Sequence, residues 1–279
     1  MPVTATEYLL IGHITRDLTP HGDEPGGTVT YSGRAVAALG SHTAVLTSYA
    51  PDFTGSQVLA GLHVHNVPAA ATTTFENVYT PHGRVQTVHA TAATLTPDHL
   101  PEAWGEPAIV HLAPVVHEVD ARFIHHFPRS LLCLTPQGWL REWGEDGRVH
   151  PREWPEAQVI LACADVVVLS QEDLPDIATL WRYWEWCKLL VLTGGAKGCL
   201  VLQGETAVRI PTITVPQVDP TGAGDIFATA YFIRYHQTGD AIEAAHFANF
   251  IAAHSVTQSG IDAVTEAVKQ AAKQYEIKR

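Results

Sequence analysis

Val218-Asp219-Pro220-Thr221-Gly222-Ala223-Gly224-Asp225 is the stretch on which the reading of this 279-residue chain turns. Pro220 fixes the approach of the backbone, the two glycines permit a tight turn, and a helical pattern starts at once, from Asp225 to His236. The first N–H groups of a helix have no intrahelical partner and point outward together, which makes an anion site. Asp225 then has two readings. It can cap the helix, or it can be a carboxylate base beside an anion-holding turn, the pair that in-line phosphoryl transfer to a hydroxyl requires.

Upstream, short apolar runs alternate with helical segments. Tyr8-Leu9-Leu10-Ile11 reads as a buried strand ending at Gly12, followed by Gly26-Gly27 and an Ala-rich helix from Tyr31 to Leu39 that stops at Gly40. Thr43–Tyr49 and Val64–Val67 read as strands with a short helix, Gly55–Leu62, between them. Further strands are expected at Ala108–Leu112, Leu131–Thr135, Val166–Leu169 and Leu189–Thr193, with helices at Val119–Phe127, Glu156–Cys163 and Leu174–Cys187. This alternation predicts an α/β fold with a mostly parallel central sheet. Two Thr- and Val-rich segments, Thr72–Thr80 and Arg84–Ala90, flank Pro81-His82-Gly83 and read as a hairpin standing off that sheet as a cover. A second hairpin is expected around Gly204-Glu205, and the chain closes with a helix at Ala241–Thr257 and a short amphipathic tail from Asp262. Trp181, Tyr183, Trp184 and Trp186 concentrate on one helix, for packing on the sheet or for a partner.

Composition narrows the function. Seventeen basic against 29 acidic side chains give a formal charge of -12, the wrong balance for a protein that must neutralise nucleic-acid phosphates. The four cysteines, Cys133, Cys163, Cys187 and Cys199, form no C-x-x-C pair, and the 16 histidines form no H-E-x-x-H motif. The N-terminal residues lack a basic region followed by a long apolar run, and no apolar stretch approaches 18 residues, so a cytoplasmic protein without a membrane span is expected. Gly12-His13-Ile14-Thr15 after the first strand is not the G-x-G-x-x-G of dinucleotide binding. A Walker-type phosphate loop is absent, as are the protein-kinase motifs.

Asp219-Pro220-Thr221-Gly222-Ala223-Gly224-Asp225 resembles the C-terminal signature Asp-Thr-x-Gly-Ala-Gly-Asp of the ribokinase-like (phosphofructokinase-B type) carbohydrate kinases, with Pro220 at the variable second place. Gly26-Gly27 followed by Leu39-Gly40 resembles that family's N-terminal signature. The resemblance covers essentially the whole chain. It implies one kinase domain over residues 1–279, a three-layer sandwich with a small β lid contributed mainly by residues 72–90. It implies Asp225 as the base, with Gly222, Ala223 and Gly224 forming the anion turn, and Asp17, Gly26, Gly27 and Tyr31 at the acceptor. Thr193-Gly194-Gly195-Ala196-Lys197-Gly198 matches the segment that approaches the nucleotide phosphates, so Thr193, Gly195, Gly198 and Thr221 are ATP-binding candidates. Asn249 and Ala253 are candidates for the border of the adenine pocket, with packing as the competing role. Lys197 and Arg34 are expected at the solvated surface.

Three departures bear on the substrate. Tyr31 stands where the family keeps Asn, which removes an amide from the acceptor pocket. The family's Asn-x-x-Glu falls on Ser170-Gln171-Glu172-Asp173, so Mg2+ is expected near Glu172 or Asp173, largely through water, and K+ or a similar monovalent ion near Asp219. Only eight residues separate Asp17 from Gly26, a short interval for the two lid strands that fuller members build there. The expected activity is transfer from ATP to a hydroxyl of a small sugar or cyclic polyol such as an inositol. A nucleoside kinase and a non-catalytic sugar- or nucleotide-binding protein are the alternatives, as a monomer or a homodimer.

Overall fold

Apolar runs of four or five residues, too short for stable helices and buried on both sides, form the central sheet. The structure, a computed structural model, describes residues 7–80 and 83–277. In chain order its elements are β1 (Tyr8–Ile11), β2 (Thr15–Thr19), β3 (Gly22–Gly26), α1 (Thr28–Ala38), β4 (Thr43–Tyr49), β5 (His63–Pro68), β6 (Thr74–Thr80) and β7 (Gly83–Ala90). Then come β8 (Ile109–Leu112), β9 (Leu131–Leu134), β10 (Arg141–Trp143), β11 (Val149–Pro151), α2 (Ala157–Cys163), β12 (Val166–Ser170), α3 (Ile177–Trp186) and β13 (Leu190–Thr193). The chain continues through β14 (Cys199–Gln203), β15 (Thr206–Ile210), α4 (Ala223–Thr238), α5 (Ala241–Ser255) and α6 (Ile261–Ile277).

Nine strands make the central sheet in the order β15-β14-β13-β12-β9-β8-β1-β4-β5. All neighbours from β13 to β5 are parallel, and the β14–β15 hairpin adds an antiparallel edge. Alternate side chains of each strand serve opposite faces. Tyr8 and Leu10 join a core with α1, α4, α5 and α6, while Leu9 and Ile11 join one with α2, α3 and Trp139 and Trp154. From β1 the chain moves to β4 on one side and later to β8 on the other, so strand order reverses between β1 and β8. The crevice at such a reversal, outside the carboxyl ends of the strands, is where open α/β sheets take ligands. Glu118 ties the two loops there together: its buried carboxylate accepts N–H groups from His13 at 3.0 Å, Val115 at 2.9 Å and Val116 at 2.9 Å.

A separate four-stranded sheet, in the order β3-β2-β6-β7, stands over this end. The short interval between Asp17 and Gly26, from which the sequence reading expects little lid structure, forms half of it. Five-residue strands β2 and β3 pair antiparallel across Pro20-His21, and Thr19 closes the turn by donating its hydroxyl to the Gly22 carbonyl at 2.8 Å. β2 also pairs in parallel with β6, setting Asp17 beside Phe75. The expected Pro81-His82-Gly83 turn falls at residues 81 and 82 outside the described part of the chain. Beneath this sheet Phe75 and Val88 pack on Val115, Val116 and Trp143, joining it to the body.

Some local expectations change. The helices expected at 55–62 and 119–127 are 3-10 turns, Thr54–Leu59 and Ala121–His125. The closing tail is a 17-residue helix, whose Val264, Val268 and Ala271 are buried. Of the aromatic group on α3, Tyr183 is buried against Trp154 while Trp181 is 45% exposed. Among the described residues no helix is long and apolar enough to cross a membrane.

Arg234 joins the three C-terminal helices. It is buried on α4, donates to Glu243 of α5 at 2.8 Å and Glu276 of α6 at 2.8 Å, and lies over the rings of Phe247 and Tyr275. Removing one partner of a buried ion pair leaves the other charge uncompensated. Arg234→Ala is therefore expected to lower stability by about 3 kcal/mol in urea denaturation, and a loss under about 1 kcal/mol would contradict this role.

Candidate functional site

The turn before α4 has the geometry that its sequence suggests. Gly222 is left-handed at φ 74° and forms the N-cap. Asp219 accepts the Thr221 N–H at 2.9 Å, Pro220 accepts that of Ala223 at 3.1 Å, and Gly222 accepts that of Ile226 at 2.9 Å. The N–H groups of Gly222, Gly224 and Asp225 find no partner among the described residues, as the first donors of a helix without a side-chain cap do. A side chain on Gly222 would be forced into a left-handed backbone and into the ring of Tyr31.

The Asp225 carboxylate lies in this first turn, partly open to the cleft. Burial pushes its pKa up to about 6. The Thr28 hydroxyl, hydrogen-bonded to it, pulls the value down; Asp173 raises it; and Arg141 lowers it. Ser32, also on α1, donates its hydroxyl to the Asp225 carbonyl at 3.3 Å. α1 thus braces the start of α4 through Thr28, Tyr31 and Ser32.

On the small-sheet side, Asp17 receives the Thr15 hydroxyl at 2.8 Å. Gly26 lies so close to the Asp17 carboxylate that a methyl group would displace it, and Gly27, at φ 81°, abuts the His13 carbonyl. These glycines let α1 begin against β2. Tyr31 stands between Asp17 and Asp225, its phenol pushed well above the usual range by burial first and then by Asp17, Asp225, Asp219 and Glu24. Phe75, Asn77 and Gln86 line the same end, and the Gln86 side-chain amide donates to the Asn77 side-chain oxygen at 2.9 Å.

At the other end, Thr193 closes β13 by donating its hydroxyl to the Leu169 carbonyl at 3.2 Å. Gly194 to Gly198 form a closed turn, with the Gly194 N–H on the Gly198 carbonyl at 2.8 Å. Gly198 has φ 80° and no room for a side chain beside Ile210 and Thr212. Asn249 borders the cleft, but its amide donates to the Ile210 carbonyl at 3.1 Å and its backbone carbonyl accepts the Thr212 hydroxyl at 3.2 Å. It therefore holds the segment after β15 in place. That segment, from Thr212 to Gln217, lines the cleft together with Ala253 and Val256. One continuous cleft of about 880 Å3 brings together Asp17, Gly27, Tyr31, Thr193, Gly195, Gly198, Thr221, Gly222 to Asp225, Asn249 and Ala253.

The acidic candidates separate. Asp173 accepts the Ser170 N–H at 3.1 Å and the Gln137 amide at 2.9 Å, so both of its oxygens are engaged. Glu172 borders the cleft. Asp219 is turned to its own loop and to the Ser259 hydroxyl at 3.3 Å. Among the described residues no three His, Cys, Asp or Glu side chains converge as a metal cage. A Mg2+ that keeps its waters and takes one carboxylate plus substrate phosphates fits Glu172. Lys197 is exposed, and Arg34 is paired to Asp262 at 2.9 Å. Sequence reasoning missed Arg141, Gln137 and Thr28. Gln137 lies in the 3-10 turn Pro136–Leu140 and Arg141 opens β10 after it, neither within a motif, and the signal for Thr28 was its place just after Gly26-Gly27.

Comparison with known proteins agrees with this geometry. Residues 152–267 match the sequence profile of the family described as pfkB family carbohydrate kinase. A cytidine kinase of Thermococcus kodakarensis is 23% identical over 256 residues, spanning 82% of this chain and 88% of the relative. A fructokinase of Rhizobium leguminosarum bv. trifolii is 26% identical over 250 residues, 78% of this chain and 74% of the relative. A pyrophosphate-dependent kinase in the ribokinase family, solved in complex with a pyrophosphate analog and myo-inositol, superposes with a TM-score of 0.76 at 22% identity, covering 89% of this chain and 94% of that one. At that identity the likeness establishes the fold, which is the ribokinase fold.

The contact between Tyr31 and Gly222 is testable without a substrate. Gly222→Ala is expected to cost about 2 kcal/mol or more, from the left-handed backbone and the blocked ring together. Tyr31→Ala should recover the part due to the ring. A double-mutant cycle by chemical denaturation reads that coupling, and strictly additive costs would contradict the contact.

Proposed function

Because residues 152–267 match the profile of the pfkB carbohydrate kinases, we propose that the protein transfers the terminal phosphoryl group of ATP to a hydroxyl of a small sugar or cyclic polyol, with Asp225 as the base. One observation carries this reading: a carboxylate with its pKa raised to about 6 stands beside free first-turn N–H groups, midway along a cleft with two ends. An acceptor held by Asp17 and the small sheet would present its hydroxyl to Asp225. The donor phosphates would lie along Gly195 and Thr221.

In the transfer, a bond forms between the acceptor oxygen and the terminal phosphorus as the bond from that phosphorus to the bridging oxygen breaks. The bridging oxygen keeps the electron pair and leaves with the nucleoside diphosphate, and the acceptor proton passes to Asp225. The Gly222, Gly224 and Asp225 N–H groups would take charge from the moving phosphoryl oxygens. Glu172 would hold Mg2+ through water, and the bound ion would neutralise charge on the donor phosphates. The small sheet, closing over the acceptor, would keep water from the phosphoryl group.

A nucleotide donor is supported by the segment from Thr212 to Gln217, which with Ala253 and Val256 lines the cleft beyond the phosphate-holding turns. A polyol acceptor is supported by the likeness to a structure that holds myo-inositol. A nucleoside acceptor is the second reading, favoured by the cytidine kinase that matches 82% of the chain.

Transfer assays with myo-inositol, fructose, ribose and cytidine, each with ATP or pyrophosphate and with Mg2+ and K+ present, would identify both substrates. Asp225→Asn is expected to lower acceptor-dependent turnover about 10²–10⁴-fold. Only the unprotonated carboxylate can take the proton, so kcat/KM should fall as pH drops through about 6. A polyol that binds without being phosphorylated would favour a binding protein instead.

A further inference from the structure

Arg141 is the one basic side chain among the described residues that line the cleft, against the carboxylates of Asp17, Glu172 and Asp225. In a chain of net charge -12, a cation at that place is not part of a generic solvated basic face. We propose that Arg141 is a further catalytic residue, whose guanidinium contacts the non-bridging oxygens of the phosphoryl group in transfer, in the same cleft as the first turn of α4. This rests on the kinase reading above.

The structure fixes this side chain from several directions. β10 pairs with β11, so Arg141 lies opposite Pro151, and the Arg141 carbonyl accepts from the His117 ring at 2.5 Å. The same His117 ring stacks on Trp143 at 4.9 Å, which holds the ribbon against the loop after β8. The guanidinium donates to the Val115 carbonyl at 3.2 Å and lies 6.0 Å from the centre of the Phe75 ring. Backbone and guanidinium are thus both held in place where Arg141 lines the cleft. An arginine head matches phosphoryl oxygens with a fork of donors and stays protonated.

Its charge is also felt where the chemistry is proposed. Thr28, Asp173 and Arg141 act on the Asp225 carboxylate, and Arg141 favours its ionised form. Around the same point stand Tyr31, from α1, and Asp17, from the small sheet. The backbone N–H groups supply only partial charge, and the full charge of Arg141 in the same cleft would complete the surroundings of a trigonal phosphoryl group. As the acceptor oxygen bonds to phosphorus and the bridging oxygen leaves with its electron pair, Arg141 keeps its own proton. The acceptor proton still goes to Asp225.

The test is steady-state kinetics of Arg141→Ala and Arg141→Lys with whichever acceptor the wild-type protein phosphorylates. Arg141→Ala should lose kcat about 100-fold or more, with the acceptor KM changed by less than about threefold. Added guanidinium ions should restore part of that rate, which a merely structural defect would not allow, and Arg141→Lys should fall between the two. A kcat within about threefold of wild type in Arg141→Ala would overturn the proposal. So would a loss confined to acceptor KM, which would make Arg141 an acceptor-binding group. If Arg141→Ala does not fold, a fully active Arg141→Lys overturns the need for the fork. Wild-type protein inert toward every acceptor and donor would overturn the kinase reading, and this inference with it.

Discussion

The arrangement depends on one carboxylate withdrawn from water at the start of a buried helix. Asp225 lies in the first turn of α4, whose residues from Ile226 to Arg234 are buried between the sheet and its neighbouring helices. A helix start ordinarily favours a negative charge, yet burial outweighs that effect and carries the Asp225 pKa upward to about 6. Stability is therefore lost as pH rises from the ordinary value of 3.8 through about 6, because the unfolded chain gives up the proton first. The tolerance of that cost is what makes the position informative.

The rest of the site follows from keeping that turn in place. Gly222 must be left-handed, and the ring of Tyr31 occupies the space that any side chain there would need. Thr28, Tyr31 and Ser32 reach the turn from α1, which itself can begin only where Gly26 and Gly27 let the backbone approach β2. One helix therefore couples the small sheet, with Asp17, to the start of α4. At the other end, the Asn249 amide secures the segment after β15 that walls the cleft. The reversal of strand order between β1 and β8 places these loops at one end of the sheet.

Much of this was legible in the sequence, for reasons that differ by element. Strands such as β1 and β12 are buried on both faces and so appear as uninterrupted apolar runs. Gly222 and the Gly26-Gly27 pair stand out because no other residue fits their backbone or their neighbours. β3, with sequence Gly-Asp-Glu-Pro-Gly, has no apolar alternation and exists by pairing with β2, so the small sheet was only half visible. Arg141 follows a 3-10 turn, and its place in the cleft comes from tertiary contacts with Val115 and Phe75 that no local pattern encodes. Likewise Asp173 and Glu172 are neighbours in sequence, and only the hydrogen bonds of Ser170 and Gln137 show that the first is engaged while the second borders the cleft.

Everything at the reactive turn rests on burial holding the Asp225 carboxylate ready to accept a proton near neutral pH. Carbon-13 NMR titration of the aspartate side-chain carboxyl carbons, with the Asp225 signal assigned by its absence in Asp225→Asn, measures this directly. The expected midpoint for Asp225 is about 6. A midpoint at the ordinary aspartate value of 3.8 would contradict it, leaving Asp225 as a solvated cap on α4.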